Sequence, residues 1–264
     1  MRSPQPIDHG MNRLNAGFDR AWDRFRASGT WRLLRGSGLL RSALYFAIEL
    51  RNAWREPRIC SRAIVDSDLA RRRDPWSYET NPVEHERFRR QTLIIDAFAN
   101  IHRFGRGLEI GCAEGMYTEV LAPRCDSLLV LDHSPTALAR TKERRHWTDG
   151  VGFGLFDLRS EEIPGQFDLI VVAGVLEYFS RRRTLARVRT KLAAALAPGG
   201  CLLVTTTRAN PVVEDACWNR LLVRGRNINA FIASDPSLET MADALEAQFV
   251  ITMCRKRTDQ PSQC

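Results

Sequence analysis

Residues 107–115 read Gly107-Leu108-Glu109-Ile110-Gly111-Cys112-Ala113-Glu114-Gly115: a short apolar run carrying an acid, then two glycines four apart that open a helical segment. A buried strand delivered into such a turn lets backbone pass close to a ligand, and the helix that follows presents unpaired backbone N–H groups to it. The spacing from Glu109 is acidic-x-Gly-x-x-x-Gly. It lacks the three-glycine pattern that cradles a dinucleotide and the Gly-Lys-Ser/Thr ending of a phosphate loop, so it suits a nucleoside-type ligand without a pyrophosphate. A second apolar run, 128–131, ends in Asp132, 21 positions after Gly111. A carboxylate there can accept from both hydroxyls of a ribose. The plainer reading, a glycine turn that only lets a helix pack on a strand, leaves Asp132 without a reason.

Metal chemistry finds no comparable pattern. Cys60, Cys112, Cys125, Cys201, Cys217, Cys254 and Cys264 show no paired spacing, their number is odd, and the five histidines are scattered. This reads as a reduced, intracellular protein without a zinc module. The start, Met1-Arg2-Ser3-Pro4-Gln5-Pro6, runs into a polar segment with no apolar signal region, so the cytoplasm is the expected location.

The elements that must position these residues come from a chain of 264 residues, enough for one substantial core with appendages. Net charge is +8, and residues 1–73 hold 15 Arg against 7 Asp and Glu, whereas the rest balances 24 basic against 24 acidic residues. The excess therefore lies in an N-terminal arm. Arginine outnumbers lysine 36 to 3, which reads as codon bias before it reads as phosphate binding. Within the arm, residues 31–55 interleave leucines with Arg32, Arg35, Arg41, Arg51 and Arg55. The uncharged stretch between Arg41 and Glu49 is far short of the roughly 20 residues a membrane span needs. Docking on the protein's own core is the expected role; a basic amphipathic helix peripheral to the inner membrane face is the alternative.

Helical spacing is expected over 89–98, 114–121 and 136–146, the last with Ser134 as N-cap and Pro135 at the first helical position. Strands are expected at 107–110, 128–131, 151–156, 167–172 and 201–206, and a helix from about 182 to 196 closes at Pro198-Gly199-Gly200. Asp235-Pro236 is expected to cap a helix to about 247, before a last strand at 249–254 and a shortened sheet edge. Strands alternating with helices imply parallel β-α-β units that bind ligands outside the carboxyl ends of the strands.

With both acids in place, the chain resembles the class I S-adenosylmethionine-dependent methyltransferases over about 106–207. Upstream, Asp74-Pro75-Trp76-Ser77-Tyr78-Glu79-Thr80 and Val83-Glu84-His85-Glu86-Arg87-Phe88 resemble the entry segment of one subfamily, the nodulation methyltransferase NodS and its relatives. There an Asp-Pro-Trp-x-Tyr/Leu-x-Thr segment precedes a Tyr-Glu-x-x-Lys-Tyr helix. Val83 and Phe88 stand where tyrosines are usual, and Arg87 where lysine is usual.

The resemblance implies an α/β fold: a Rossmann-like, mostly parallel sheet with helices on both faces. The expected divisions are a basic helical extension at 1–73, a lid segment at 74–105, the main domain at 106–257 with an acceptor-side insertion at about 208–233, and a flexible tail at 258–264. It implies S-adenosyl-L-methionine as cofactor, S-adenosyl-L-homocysteine as product, and no metal. Glu109 would hold the glycine loop and the amino-acid end of the cofactor; Gly111, Cys112, Ala113 and Gly115 would form the close-approach turn. Asp132 would take the ribose and His133 the purine face, or His133 is a solvated turn residue. Asp157 would accept from the adenine amino group, or simply end a strand, with Leu158 donating a backbone N–H. Ala173 would line the site from the fourth strand, and Trp76 and Tyr78 from the lid.

Methyl transfer from a sulfonium is an in-line displacement that needs a positioned, desolvated lone pair about 3 Å from the methyl carbon. A protonated amine must first lose its proton, and a hydroxyl needs a stronger base. Glu177 and Tyr178, just past the fourth strand, are best placed for that, then His85 with Glu84 on the lid. Glu177 also fits an ordinary carboxylate at a helix N-terminus.

The implied activity is methylation of an N or O nucleophile on a small molecule or saccharide. NodS relatives methylate an amino sugar of a chitin-oligosaccharide signal, which makes a glycan amine the sharpest expectation. Those relatives often carry a Gly-Asp-x-Val-His-like element where this chain has Gly225-Arg226-Asn227-Ile228-Asn229, so the acceptor stays open. A nucleic-acid acceptor ranks lower: the Asn/Asp-Pro-Pro-aromatic element that fits a flipped base is replaced by Ala173-Gly174-Val175-Leu176-Glu177, although the basic arm permits phosphate binding. From a different class comes a catalytically silent, cofactor-binding partner protein at a membrane surface. Oligomeric state is left open.

Overall fold

The structure, a computed structural model, describes residues 62–98, 103–179, 181–208 and 223–258. In chain order these form α1 (Arg62–Arg71), α2 (Pro82–Phe98), β1 (Phe104–Ile110), α3 (Met116–Leu121), β2 (Cys125–Asp132), α4 (Pro135–Arg144), β3 (Val151–Leu155) and β4 (Phe167–Ala173). A 3-10 turn (Leu176–Tyr178) follows, then α5 (Arg182–Ala195), β5 (Leu196–Thr207), α6 (Arg226–Ala233), β6 (Leu238–Leu245) and β7 (Phe249–Lys256). The strands make one seven-stranded sheet, order β3-β2-β1-β4-β5-β7-β6. Pairing is parallel from β3 to β5, and β7 runs antiparallel to both β5 and β6. This is the expected Rossmann-like class of fold.

The central strands read as unbroken apolar runs because both faces are covered. Along β4, Leu169 and Val171 belong to one buried cluster while Ile170 and Val172 belong to the other, on the opposite face. Helix α5 buries Leu185, Val188 and Leu192 at helical spacing. Ser134 caps α4, its hydroxyl accepting from Ala137 N–H at 3.1 Å, as its position before Pro135 implies.

The carboxyl-terminal region differs from expectation. Residues 235–247 are not a helix: 238–245 form β6, and the sheet edge is not shortened but ends in the β6–β7 hairpin. The run Leu-Glu-Thr-Met-Ala-Asp-Ala-Leu favours a helix by intrinsic propensity. Pairing with β7, and packing of Met241, Ala242 and Ala244 on the sheet's buried face, override it. Asp235 caps no helix; its Oδ1 accepts from Ser237 N–H and hydroxyl at 3.1 and 2.7 Å, closing a turn.

The arm at 1–61, including the 31–55 stretch, lies outside the described residues, as do 209–222 and most of the 258–264 tail. Helix α1 packs against α4, where Asp66 meets the α4 N-terminus. Among the described residues, no helix is long and apolar enough to cross a membrane.

Candidate functional site

The end of β1 and the turn after it shape a cavity at the carboxyl edge of the sheet. Gly111 has φ 86°, and a Cβ there would lie 2.2 Å from Val175 Cγ2, so only glycine fits. Its N–H donates to Leu131 O at 2.8 Å, locking the turn to β2. Ala113 is held at φ 49°, a conformation that costs a non-glycine residue. In return its N–H donates to Asp132 Oδ2 at 3.2 Å, while Ser134 N–H donates to Asp132 Oδ1 at 2.9 Å. Each oxygen of the buried Asp132 is thus braced by one backbone N–H, with acceptor capacity left for the cavity it lines. His133 stands beside it, Nδ1 3.5 Å from Asp132 Oδ1.

The main cavity, about 800 Å³ including its open mouth, brings together Trp76, Tyr78, Gly111, Ala113, Asp132, His133, Asp157, Leu158, Ala173 and Tyr178. A smaller adjoining cavity takes Glu109 and Cys112 together with Arg87 and Tyr117, and shares Tyr78, Gly111, Ala113 and Ala173 with the first. Gly115 lines neither; at φ 80° it opens α3 against Thr141. Glu109 is buried and accepts from Thr118 Oγ1 at 2.5 Å. Burial pushes its carboxyl up to about 7, with the nearby Asp132 charge adding to the rise and the Thr118 bond opposing it.

Asp157 stands at the cavity and closes a turn. It lines the cavity, yet Oδ1 accepts from Arg159 N–H and Oδ2 from Ser160 Oγ, both at 2.9 Å, capping the turn that ends the third strand segment.

The 74–79 segment is pinned by polar bonds. Asp74 Oδ1 and Oδ2 accept from Tyr78 and Glu79 N–H, and Asp74 N–H donates to Glu114 Oε1 at 3.0 Å. Arg140 pairs with Glu114 and donates to Arg72 O at 3.0 Å. Behind the lid, Trp76, Tyr78, Phe88 and Tyr117 form a ladder of rings with successive centroid separations of 5.7, 5.7 and 5.2 Å. The buried Arg87 pairs with Glu84 at 2.5 Å and lays its guanidinium 4.8 Å from the Phe88 centroid.

Of the three residues singled out for proton transfer, Tyr178 alone lines the main cavity. Glu177 Oε1 accepts from Thr207 Oγ1 and N–H at 3.3 and 3.4 Å, whereas Oε2 is buried with no partner among the described residues. Burial raises its pKa, opposed by hydrogen bonds from its own and Thr207 N–H groups and by Arg87. His85 is corrected: it is exposed on the outer side of α2 and lines neither cavity. The helix phase explains this, because Arg87, Gln91 and Ile95 are the residues of α2 that turn inward.

The insertion does not form the wall expected of it in its described part. None of 223–233 lines the cavities. Asn229 instead ties α6 to the sheet, its amide donating to Val204 O, Val250 O and Thr252 Oγ1 and its oxygen accepting from Thr206 Oγ1.

The contributors to the cavity that went unseen in the sequence include Val65 and Leu69 from α1, and Arg159 and Phe179. The four-residue spacing of Val65 and Leu69 was the available signal, masked by the arginine-rich arm around it. Among the described residues, no group of His, Cys, Asp and Glu is arranged to hold a metal ion.

A family model described as nodulation protein S (NodS) matches residues 60–221. Nodulation protein S of Rhizobium tropici is 36% identical over 135 residues, 51% of this chain and 56% of that one. Its counterpart from Sinorhizobium fredii is 36% identical over 127 residues, 48% and 57% of the two chains. The chain thus spans a little over half the length of these relatives. The crystal structure of N-methyltransferase NodS from Bradyrhizobium japonicum WM9, in complex with S-adenosyl-L-homocysteine, superposes with a TM-score of 0.61 at 28% identity, covering 72% of this chain and 97% of that one.

Proposed function

The chain belongs to the nodulation protein S family, and from that membership we propose that it is an S-adenosylmethionine-dependent methyltransferase acting on an amine nitrogen of a small, saccharide-type acceptor. The observation that carries this reading is the carboxylate of Asp132, braced on both oxygens by backbone N–H groups and aimed into a cavity that a glycine turn opens. A related chain with the same fold was solved with S-adenosyl-L-homocysteine.

The residues present fit that group. Gly111 and Ala113 form a cradle that an added Cβ at Gly111 would obstruct, and Asp132 retains acceptor capacity for a diol. Leu158 and Phe156 give the purine apolar walls, and Asp157 can accept from its amino group. The smaller cavity offers Glu109 to an ammonium and Arg87 to a carboxylate, matching the two ends of an amino acid. When bound, S-adenosylmethionine supplies an electrophilic methyl on a sulfonium centre.

The chain's own part is to hold the acceptor, exclude water and accept a proton. Trp76 and Tyr78 roof the cavity, and Tyr178 lines the same space as the nucleophile. Glu177 is the proton acceptor in this reading, acting from beside Tyr178 rather than from the cavity wall, which it does not line: burial raises its pKa, so it takes a proton from an ammonium group more readily than an ordinary carboxylate. An amine needs no stronger base than this, which favours N- over O-methylation.

A methyl-transfer screen with labelled cofactor over amino sugars, phenols and RNA tests the proposal. Label on an amino-sugar nitrogen is expected. Transfer to phenols or RNA alone would replace the acceptor class, and calorimetry showing no S-adenosyl-L-homocysteine binding would remove the enzyme reading altogether.

A further inference from the structure

Helix α1 lies across the cavity and is fastened on both sides of it. On the ribose side, Asp66 Oδ1 accepts from Ser134 Oγ at 2.5 Å and from Thr136 N–H at 2.9 Å, at the N-terminus of α4. The same Ser134 donates its backbone N–H to Asp132, so Asp66 braces the loop that aims the ribose carboxylate. On the adenine side, Arg62 Nη2 stands 3.9 Å from Glu161 Oε1, in the turn that Asp157 caps. Between these fastenings Val65 and Leu69 line the cavity, with Leu69 only 1% exposed. The chain that follows α1 is held in turn, because Arg72 O accepts from Arg140.

The two fastenings are unequal. Arg62 and Glu161 are 45% and 48% exposed, and a solvated pair at that distance contributes little. Asp66 makes two bonds from a charged acceptor, at the positive end of a helix.

We propose that α1 is a latch over the nucleoside site and that Asp66 is the positioning residue that keeps it closed, setting how fast a bound nucleoside product leaves. This rests on the cofactor reading of the same cavity. An undocked α1 exposes Leu69 and frees the Ser134 hydroxyl, so opening costs both the burial of Leu69 and the Asp66 bonds. Cofactor exchange then waits on α1, and the N-terminal extension takes a direct part in turnover.

Stopped-flow measurement of S-adenosyl-L-homocysteine dissociation from the full chain tests this. Asp66→Ala is expected to speed dissociation about tenfold or more, the loss of two charge-assisted bonds. Asp66→Asn keeps an acceptor oxygen for both donors and should stay within about threefold of wild type, whereas Arg62→Ala should change the rate less than about twofold. A purely structural Asp66 would lower the melting temperature and leave the dissociation rate unchanged, which would overturn the latch. Should Asp66→Ala fail to fold, amide hydrogen exchange on the wild-type chain decides: protection of 62–71 on ligand binding is expected, and unchanged exchange overturns the proposal. Wild type that binds no S-adenosyl-L-homocysteine removes the cofactor reading and the latch together; binding with an unchanged Asp66→Ala rate removes the latch alone.

Discussion

The polar groups on the two sides of the cavity are satisfied to different degrees. On the ribose side, Asp132 is held by Ala113 and Ser134, and Glu109 by Thr118. Toward the turn Leu176–Tyr178, Glu177 Oε2 is buried without a hydrogen-bond partner among the described residues. A buried polar atom left unpaired costs about 1–3 kcal/mol. Asp132 is thus held on both oxygens before any ligand is present, whereas Glu177 keeps one acceptor oxygen unpaired.

The comparison can be broken in four ways. The largest effect is expected from Glu177→Gln, which keeps the shape but removes the proton acceptor: turnover should fall about 100-fold or more with S-adenosyl-L-homocysteine affinity unchanged. Steady-state kinetics beside calorimetry measures both, and an affinity loss would place Glu177 on the cofactor side instead. Next, Asp132→Ala should weaken S-adenosyl-L-homocysteine binding by about 1–3 kcal/mol, because the Ala113 and Ser134 N–H groups lose their acceptor along with the ligand's hydroxyls. Unchanged affinity would mean that the braced side is not the nucleoside side.

The third concerns pH. Burial raises Glu109 from its ordinary 4.5 to about 7, so the folded chain holds this proton more tightly than the unfolded chain. The stability it contributes is full below about 4.5 and is lost as pH rises through about 7. An ammonium ligand needs the ionised form, so S-adenosyl-L-homocysteine affinity should rise by up to about tenfold per pH unit below 7 and then level off. In Glu109→Gln the calorimetric profile should be flat; a retained slope would assign the titration to another group. The smallest effect is expected from His85→Ala, which should shift stability by less than about 0.5 kcal/mol and leave turnover unaltered, as its outward position requires. A large kinetic loss would show that α2 rotates in the working complex.

Legibility followed the range of the interactions involved. Glu109, Gly111 and Asp132 were readable because a strand, a tight turn and the next strand's end are local geometry, and spacing along the chain sets them. Arg87 was visible as a departure from the family's lysine, yet its burial against Phe88 and Glu84 follows from the phase of α2, which singles out 87, 91 and 95 and turns His85 outward. Residues 238–245 could not be read correctly from propensity, because only pairing with β7 makes them a strand.

The sequence by itself determined the class of fold, the family, and the turn and acid that line the cavity, since glycine φ freedom and strand-ending acids act within a few residues of one another. Only the tertiary structure decided that α1 crosses the cavity with Asp66 on Ser134, that Asn229 serves the sheet, and that Glu177 keeps an unpaired oxygen. Those outcomes depend on which distant surfaces exclude water from one another, and side-chain burial between segments far apart in the chain is set only when they meet.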